Sequence, residues 1–169
     1  PKQYLDFQAS RGIGMFGGRW RDFEDPRRGQ EVIMELEEIF KKWGIEPSDC
    51  GDALEAFGMR RLLSNEVVFH EGENAESFYF IKSGQAMVTR KSHDGNKEFL
   101  TVIKEGQCFG VIGLMQDLKR TVTVEAIGEL VLYRLDADFF RKLMDTCPRF
   151  ADLIKKVSIE RLIRTTPLF

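Results

Sequence analysis

Between Arg60 and Leu135 the apolar residues come in short runs, each closed by a glycine or a polar turn. VVFH at 67–70 leads into the turn EGEN. SFYFIKSG at 77–84 and QAMVTRKS at 85–92 meet around Gly84. HDGN at 93–96 contains Asp-Gly, the strongest short hairpin signal, and EFLTVI at 98–103 pairs back. TVTVEAI at 121–127 and LVLYRL at 130–135 are separated by Gly128-Glu129, which reads as another tight turn. Many short strands at regular spacing confine this part of the chain to a sandwich, barrel or jelly roll.

Helical periodicity flanks the strands on both sides. In QEVIMELEEIFKKW at 30–43, Val32, Ile33, Leu36, Ile39, Phe40 and Trp43 share one helical face. Acids come early and lysines late, which suits the helix dipole, and Gly44 supplies the stop. Pro47-Ser48-Asp49 opens a second helix, expected to run to about Met59. After Asp136, read as a cap, ADFFRKLM forms one helix. Pro148 starts the last, whose apolar face carries Phe150, Leu153, Ile154, Val157, Leu162 and Ile163. The expected architecture is α+β: an eight-stranded antiparallel, jelly-roll-like β-roll (60–135) with N-terminal helices (31–59) and two C-terminal helices (136–164). Residues 1–30 read as an irregular extension. Its Phe7, Phe16, Trp20 and Phe23 alternate with arginines, as in an arm that packs on a neighbour or docks a partner.

Composition excludes several classes. A chain of 169 residues with 43% hydrophobic and 31% charged residues is an ordinary globular domain with a proper core. A net charge of −2 gives no global attraction to nucleic acid or anionic lipid. Cys50, Cys108 and Cys147 are far apart and form no CxxC, so neither a zinc framework nor a disulfide scaffold is indicated, and a reduced, cytoplasmic setting is expected. No apolar run reaches the roughly 20 residues of a membrane-spanning helix. The chain begins at Pro1 and stops at Phe169, which reads as a segment of something longer.

The chemistry concentrates in FGVIGLMQDLKRTVTV, Phe109–Val124. A glycine, a short helix-like turn and an arginine lie close together between strands. Backbone N–H groups at a helix start and one fixed cation are what a phosphate needs.

With its flanks, this stretch resembles the cyclic nucleotide-binding domain family, found in regulatory subunits of cyclic-nucleotide-dependent kinases, in gated channels and in bacterial catabolite-activator-type regulators. The resemblance covers about residues 31–165. GENAESFYFIKSG at 72–84 is similar to the family's turn-strand-glycine signature, and GQCFG at 106–110 to the lead-in to its phosphate cassette. Kinase subunits read FGE-(L/I)-A-L, a short insert, then PRAATV; this chain keeps the same glycine-to-arginine spacing. The resemblance implies that Arg120 pairs with the cyclic phosphate. It implies that backbone N–H groups of Gly110, Ile112, Gly113 and Leu114 assist, with Gly113 allowing close approach. It places Thr121 at the base edge, where a threonine accompanies cGMP acceptance, and makes Leu153, Ile154 and Val157 a hydrophobic lid over the base. The implied ligand is cAMP or cGMP, with no metal or other cofactor. Implied partners are other domains of a longer protein or separate proteins.

Three positions depart from the pattern. Val111 stands where the family has a glutamate that accepts the ribose 2′-OH. Losing a charge-assisted hydrogen bond costs about 1.5–3 kcal/mol, roughly 10- to 150-fold in affinity. Lys119 replaces the proline before the arginine, with Asp117 nearby as another charged group that could compensate for the missing acid. WGIEPSD at 43–49 replaces the usual PLF entry segment. A similar TTPLF occurs at 165–169, as if a second such domain followed.

Two functions follow: a regulatory module that binds cAMP, cGMP or a modified purine nucleotide weakly and moves its C-terminal helices, or a ligand-free scaffold that docks proteins. An enzyme is not expected. A β-roll oxygenase needs clustered histidines around a metal, and this chain has only His70 and His93, one at a strand end and one on a hairpin tip. DNA binding would need a helix-turn-helix, and none is legible in these residues.

Overall fold

The computed structural model describes residues 26–115 and 119–165. The aromatic arm up to residue 25, Asp117 and the TTPLF tail from 166 onward lie outside the described residues.

Helix α1 (Pro26–Lys42) starts before the expected position and ends where Gly44 takes a positive φ of 76°. There the Ile45 N–H donates to the Phe40 carbonyl at 2.8 Å and the Gly44 N–H to that of Lys41 at 2.9 Å, a Schellman closure. The second expected helix is not α-helical. It is two 3-10 turns, Pro47–Cys50 and Leu54–Ala56, separated by Gly51 at φ 58°. Cys50, Ala53, Leu54, Ala56 and Phe57 are all buried. Their spacing imitates a helical stripe, but it belongs to a tight coil pressed under α1.

The strands are β1 (Gly58–Leu62), β2 (Val67–Phe69), β3 (Ser77–Lys91), β4 (Lys97–Lys104), β5 (Cys108–Phe109) and β6 (Thr123–Asp136). All pairings are antiparallel, in the order β1–β6–β3–β4, with β2 added on β6 and β5 on β3. Six strands therefore stand among the described residues where eight were expected. Two expected breaks are bends within continuous strands. β3 runs through Gly84 and β6 through Gly128, paired to each other, with register shifts at Ile81/Ser83 and Ser83/Gln85 that let the sheet coil. Gly84 is required there: at φ 92° a Cβ would stand 2.3 Å from the Glu129 carbonyl oxygen. The Asp94-Gly95 hairpin forms as read, between β3 and β4.

Residues 77–81 of β3 and 132–136 of β6 are buried on both faces, which explains why SFYFI does not alternate. Phe78 and Phe80 join Phe40, Phe57, Tyr133, Phe140 and Phe150 in a core shared with the helices. Tyr79 and Ile81 face the roll interior with Leu62, Phe69, Phe109 and Leu132. Helices α3 (Ala137–Thr146) and α4 (Pro148–Thr165) close the fold, separated by Cys147 alone. Asp136 holds the residue position before α3, but its side chain makes no cap bond; the carboxylate lies 3.1 Å from the Arg134 guanidinium. The five-residue helix α2 (Val111–Met115) follows β5.

Candidate functional site

The EGEN turn and the arginine cross in a short backbone bracket. The Gly72 N–H donates to the Arg120 carbonyl at 2.8 Å, and the Arg120 N–H donates to the Glu73 carbonyl at 2.7 Å. Asn74 and Lys119 form an isolated antiparallel bridge beside it. The motif at 72–84 thus fixes the backbone of residue 120 before any ligand contact is considered.

That bracket sends the Arg120 side chain inward, where it is 5% exposed. Its Nη1 donates to the Gly110 carbonyl at 2.8 Å and its Nη2 to the Ser77 carbonyl at 2.7 Å. The guanidinium carbon lies 4.1 Å from the centre of the Phe69 ring and 5.8 Å from that of Tyr79. Nε has no hydrogen-bond partner among the described residues, and no ion pair is made to Arg120 there. Burial above all lowers the guanidinium pKa from its ordinary value. Arg134 adds to the lowering, while Tyr79, Glu73 and Glu76 oppose it. An arginine still keeps its proton under these conditions. The site therefore holds a permanent buried cation whose hydrogen-bonding fork is closed on two carbonyls.

Gly110 makes this possible. It sits at φ 81°, and a Cβ there would lie 2.9 Å from Arg120 Nη1 and 3.1 Å from the Ser77 carbonyl oxygen. Only glycine lets the guanidinium come this close to the strand end.

A cavity of about 110 Å³ opens beside these groups, inside the roll and under α4. Of the expected residues, Gly110, Val111, Ile112, Gly113, Arg120, Thr121 and Val157 line it. Leu114 does not: it turns into the helix-side core. The lid also differs from expectation. Ile154 is fully buried in that same core, and Leu153 borders an adjoining cavity of about 180 Å³ with Trp43, Cys108 and Glu160. One turn further along α4, the expected Val157 does face the cavity of about 110 Å³, joined by Ser158. The physical reason is where α4 is anchored: Phe150 in its first turn packs on Phe78 and Phe140, and the residues that reach the cavity, Val157 and Ser158, come two turns later.

Val111 is 3% exposed and shared between the cavity wall and the helix-side core. Among the described residues no carboxylate lines the cavity. Its polar fringe is Thr101, Gln107, Thr121 and Ser158, with Thr121 exposed. Ser158 was not singled out from the sequence. Its Oγ donates to the Ile154 carbonyl at 2.8 Å and lies 3.5 Å from Met115 Sδ, linking α4 to α2. A lone serine next to Val157 on an apolar helix face was the available signal. His70, outside the cavity, lies 2.8 Å from Glu73. Among the described residues no group of three or more His, Cys, Asp or Glu could hold a metal ion.

The sequence pattern of the cyclic nucleotide-binding domain matches residues 59–147, more than half of the chain. The chain belongs to the cyclic nucleotide-binding domain family. It is 27% identical over 122 residues to a CRP-like cAMP-activated global transcriptional regulator of Mycobacterium tuberculosis, covering 72% of this chain and 54% of that protein. It is 39% identical over 88 residues to a cAMP-dependent protein kinase regulatory subunit of Debaryomyces hansenii, covering 48% of this chain and 19% of the relative. The chain thus spans about half the length of the mycobacterial relative and a fifth of the kinase subunit. Among solved structures, the fold is similar to the regulatory domain of Toxoplasma gondii PKA with cAMP. That match has TM-score 0.69 and 21% identity, over 79% of this chain and 51% of the other. It is also similar to the regulatory subunit of a cAMP-independent protein kinase A from Trypanosoma cruzi bound to guanosine. There the TM-score is 0.67 at 19% identity, over 77% of this chain and 46% of the other. No helix among the described residues is long and apolar enough to cross a membrane.

Proposed function

We propose that residues 31–165 act as a regulatory module that takes cAMP or cGMP in the cavity under α4, weakly, and passes occupancy to α3 and α4. The observation that carries this reading is Arg120: a buried cation at the cavity wall, with Nε unpartnered and no carboxylate paired to it among the described residues. A cation in low dielectric without a counter-charge is stabilised by an anion brought to it. Affinity is limited at two points. A phosphate must share or displace the carbonyls of Gly110 and Ser77, and the ribose hydroxyl meets Val111, which accepts nothing. Coupling would run through the Met115–Ser158 contact, since a ligand between α2 and α4 changes how they meet. It can bias the helices only by its differential affinity for their two arrangements.

A second reading is an uncharged purine nucleoside. The closed guanidinium fork favours it, because a nucleoside asks for no phosphate donors, and the guanosine-bound trypanosomal relative gives it precedent.

Calorimetric titration of the 169-residue chain with cAMP, cGMP and guanosine separates these readings. The first predicts weak binding of a cyclic nucleotide, tightened about 10- to 150-fold by Val111→Glu and abolished by Arg120→Ala. Guanosine binding alone selects the second. No binding of any of the three at millimolar concentration overturns both and leaves the ligand-free scaffold.

A further inference from the structure

The adjoining cavity of about 180 Å³ lies between the end of α1, the β4–β5 turn and α4. Gln107 and Val157 line it and also line the cavity beside Arg120, so they stand at the boundary between the two spaces. A ligand held at Arg120 reaches the second space past these two side chains. Leu153, Val157 and Glu160, at helical spacing, present one face of α4 to it. Opposite stands Trp43, the first residue after α1. Its ring is held edge-on by Phe80 at 5.2 Å and tilted against Phe40 at 5.3 Å. Trp43 is half-buried and so offers an aromatic surface at the cavity wall. Glu160 is exposed, and its carboxylate makes no ion pair among the described residues. Gln107 Oε1 accepts the Lys104 N–H at 2.9 Å, which fixes the amide and leaves Nε2 to donate.

We propose that this second cavity is a base subsite that selects guanine over adenine, with Trp43 stacking the ring and Glu160 accepting its N1–H and N2–H. The inference rests on the reading that the Arg120 cavity holds a nucleotide or nucleoside. Guanine presents N1–H and N2–H side by side, two donors that one carboxylate takes together, and its O6 accepts from an amide such as that of Gln107. Adenine presents an unprotonated N1 at the same edge, and its lone pair is repelled by the carboxylate. Stacking on Trp43 serves both bases, because every base has a π face. Discrimination therefore lies with Glu160, and affinity common to both bases with Trp43. A good bidentate pair discriminates between bases by roughly 5- to 150-fold. Water competes for the exposed Glu160, so the lower part of that range, about 5- to 20-fold, is expected here.

The test uses the 169-residue chain carrying Trp20→Phe, which leaves Trp43 as its only indole. Cyclic GMP, cAMP, guanosine and adenosine are each titrated by calorimetry and by Trp43 emission. The guanine member of at least one pair should bind about 5- to 20-fold tighter than its adenine partner and change the Trp43 emission. Glu160→Gln should erase that preference without weakening the adenine ligand, because an amide can pair with either base edge. Trp43→Leu, checked for native circular dichroism, should weaken guanine and adenine ligands alike, by about 5-fold or more. No binding of any of the four ligands overturns the nucleotide-site reading and this inference with it. Binding without a guanine preference overturns the base subsite alone. So does a preference that survives Glu160→Gln, an unaltered Trp43 emission, or a folded Trp43→Leu variant that binds like wild type.

Discussion

Replacing Arg120 by methionine tests whether the arginine builds the site as well as serving a ligand. The side chain supplies two hydrogen bonds to carbonyl oxygens at 2.8 and 2.7 Å and stacks 4.1 Å above Phe69. Hydrogen bonds from a charged donor contribute about 1.5–3 kcal/mol each, and the cation–π contact about 1–2 kcal/mol more when desolvated. Against this, the guanidinium is costly to bury, as its depressed pKa shows, and methionine relieves that cost. The balance is a loss of about 2–4 kcal/mol, because the carbonyls of Ser77 and Gly110 lose their charged donors while the apolar packing on Phe69 survives. Urea unfolding of the ligand-free protein would show this as a lower midpoint at unchanged m value, with Tm down by about 5–15 °C. Arg120→Lys should fall nearly as far, since one ammonium cannot span two carbonyls set by different elements. Ligand-free stability equal to wild type in both variants would refute the reasoning and make Arg120 a residue that matters only when a ligand is bound.

Gly110→Ala should lower stability by about 1–3 kcal/mol and weaken any ligand bound at Arg120, since it combines a positive φ of 81° with a Cβ 2.9 Å from Nη1; thermal melts and calorimetry read both effects. Gly84→Ala should yield little folded protein, because a Cβ 2.3 Å from the Glu129 carbonyl would part β3 from β6; native-like circular dichroism and yield would contradict this. Glu35 anchors α1 on the roll through Tyr133, whose hydroxyl donates to it, and through Lys82 at 2.9 Å. Partial burial pushes the Glu35 pKa up, but the hydrogen bonds from Tyr133 and Lys82 outweigh it and leave the value below the usual 4.5. A depressed carboxylate pKa contributes stability above the unfolded value, lost as pH falls through the folded one. Wild type should therefore lose stability relative to Glu35→Gln as pH drops below about 4.5, and parallel pH profiles would contradict it.

Much of the site was legible because its demands are local. Gly110 and Arg120 keep a fixed spacing, and the glycines of the turns announce positive φ wherever they occur. The strand count and the second helix were not legible. A bend and a turn both present as glycine, and whether β3 breaks at Gly84 depends on β6 pairing across it. Likewise, buried residues at 50, 53, 54 and 57 look helical until α1 is laid over them.

By itself the sequence determined the class of fold, the family, the two terminal helices and the candidate residues, since periodicity, turn chemistry and motif spacing are properties of the chain alone. Tertiary structure decided where those residues face. It closed the Arg120 fork on Ser77 and Gly110, put Val111 in the cavity wall with no carboxylate beside it among the described residues, and kept Val157 at the cavity with Ser158 while turning Ile154 into the helix-side core. Each of these depends on contacts between residues far apart in sequence, and burial and hydrogen-bond partnership arise only when such segments meet.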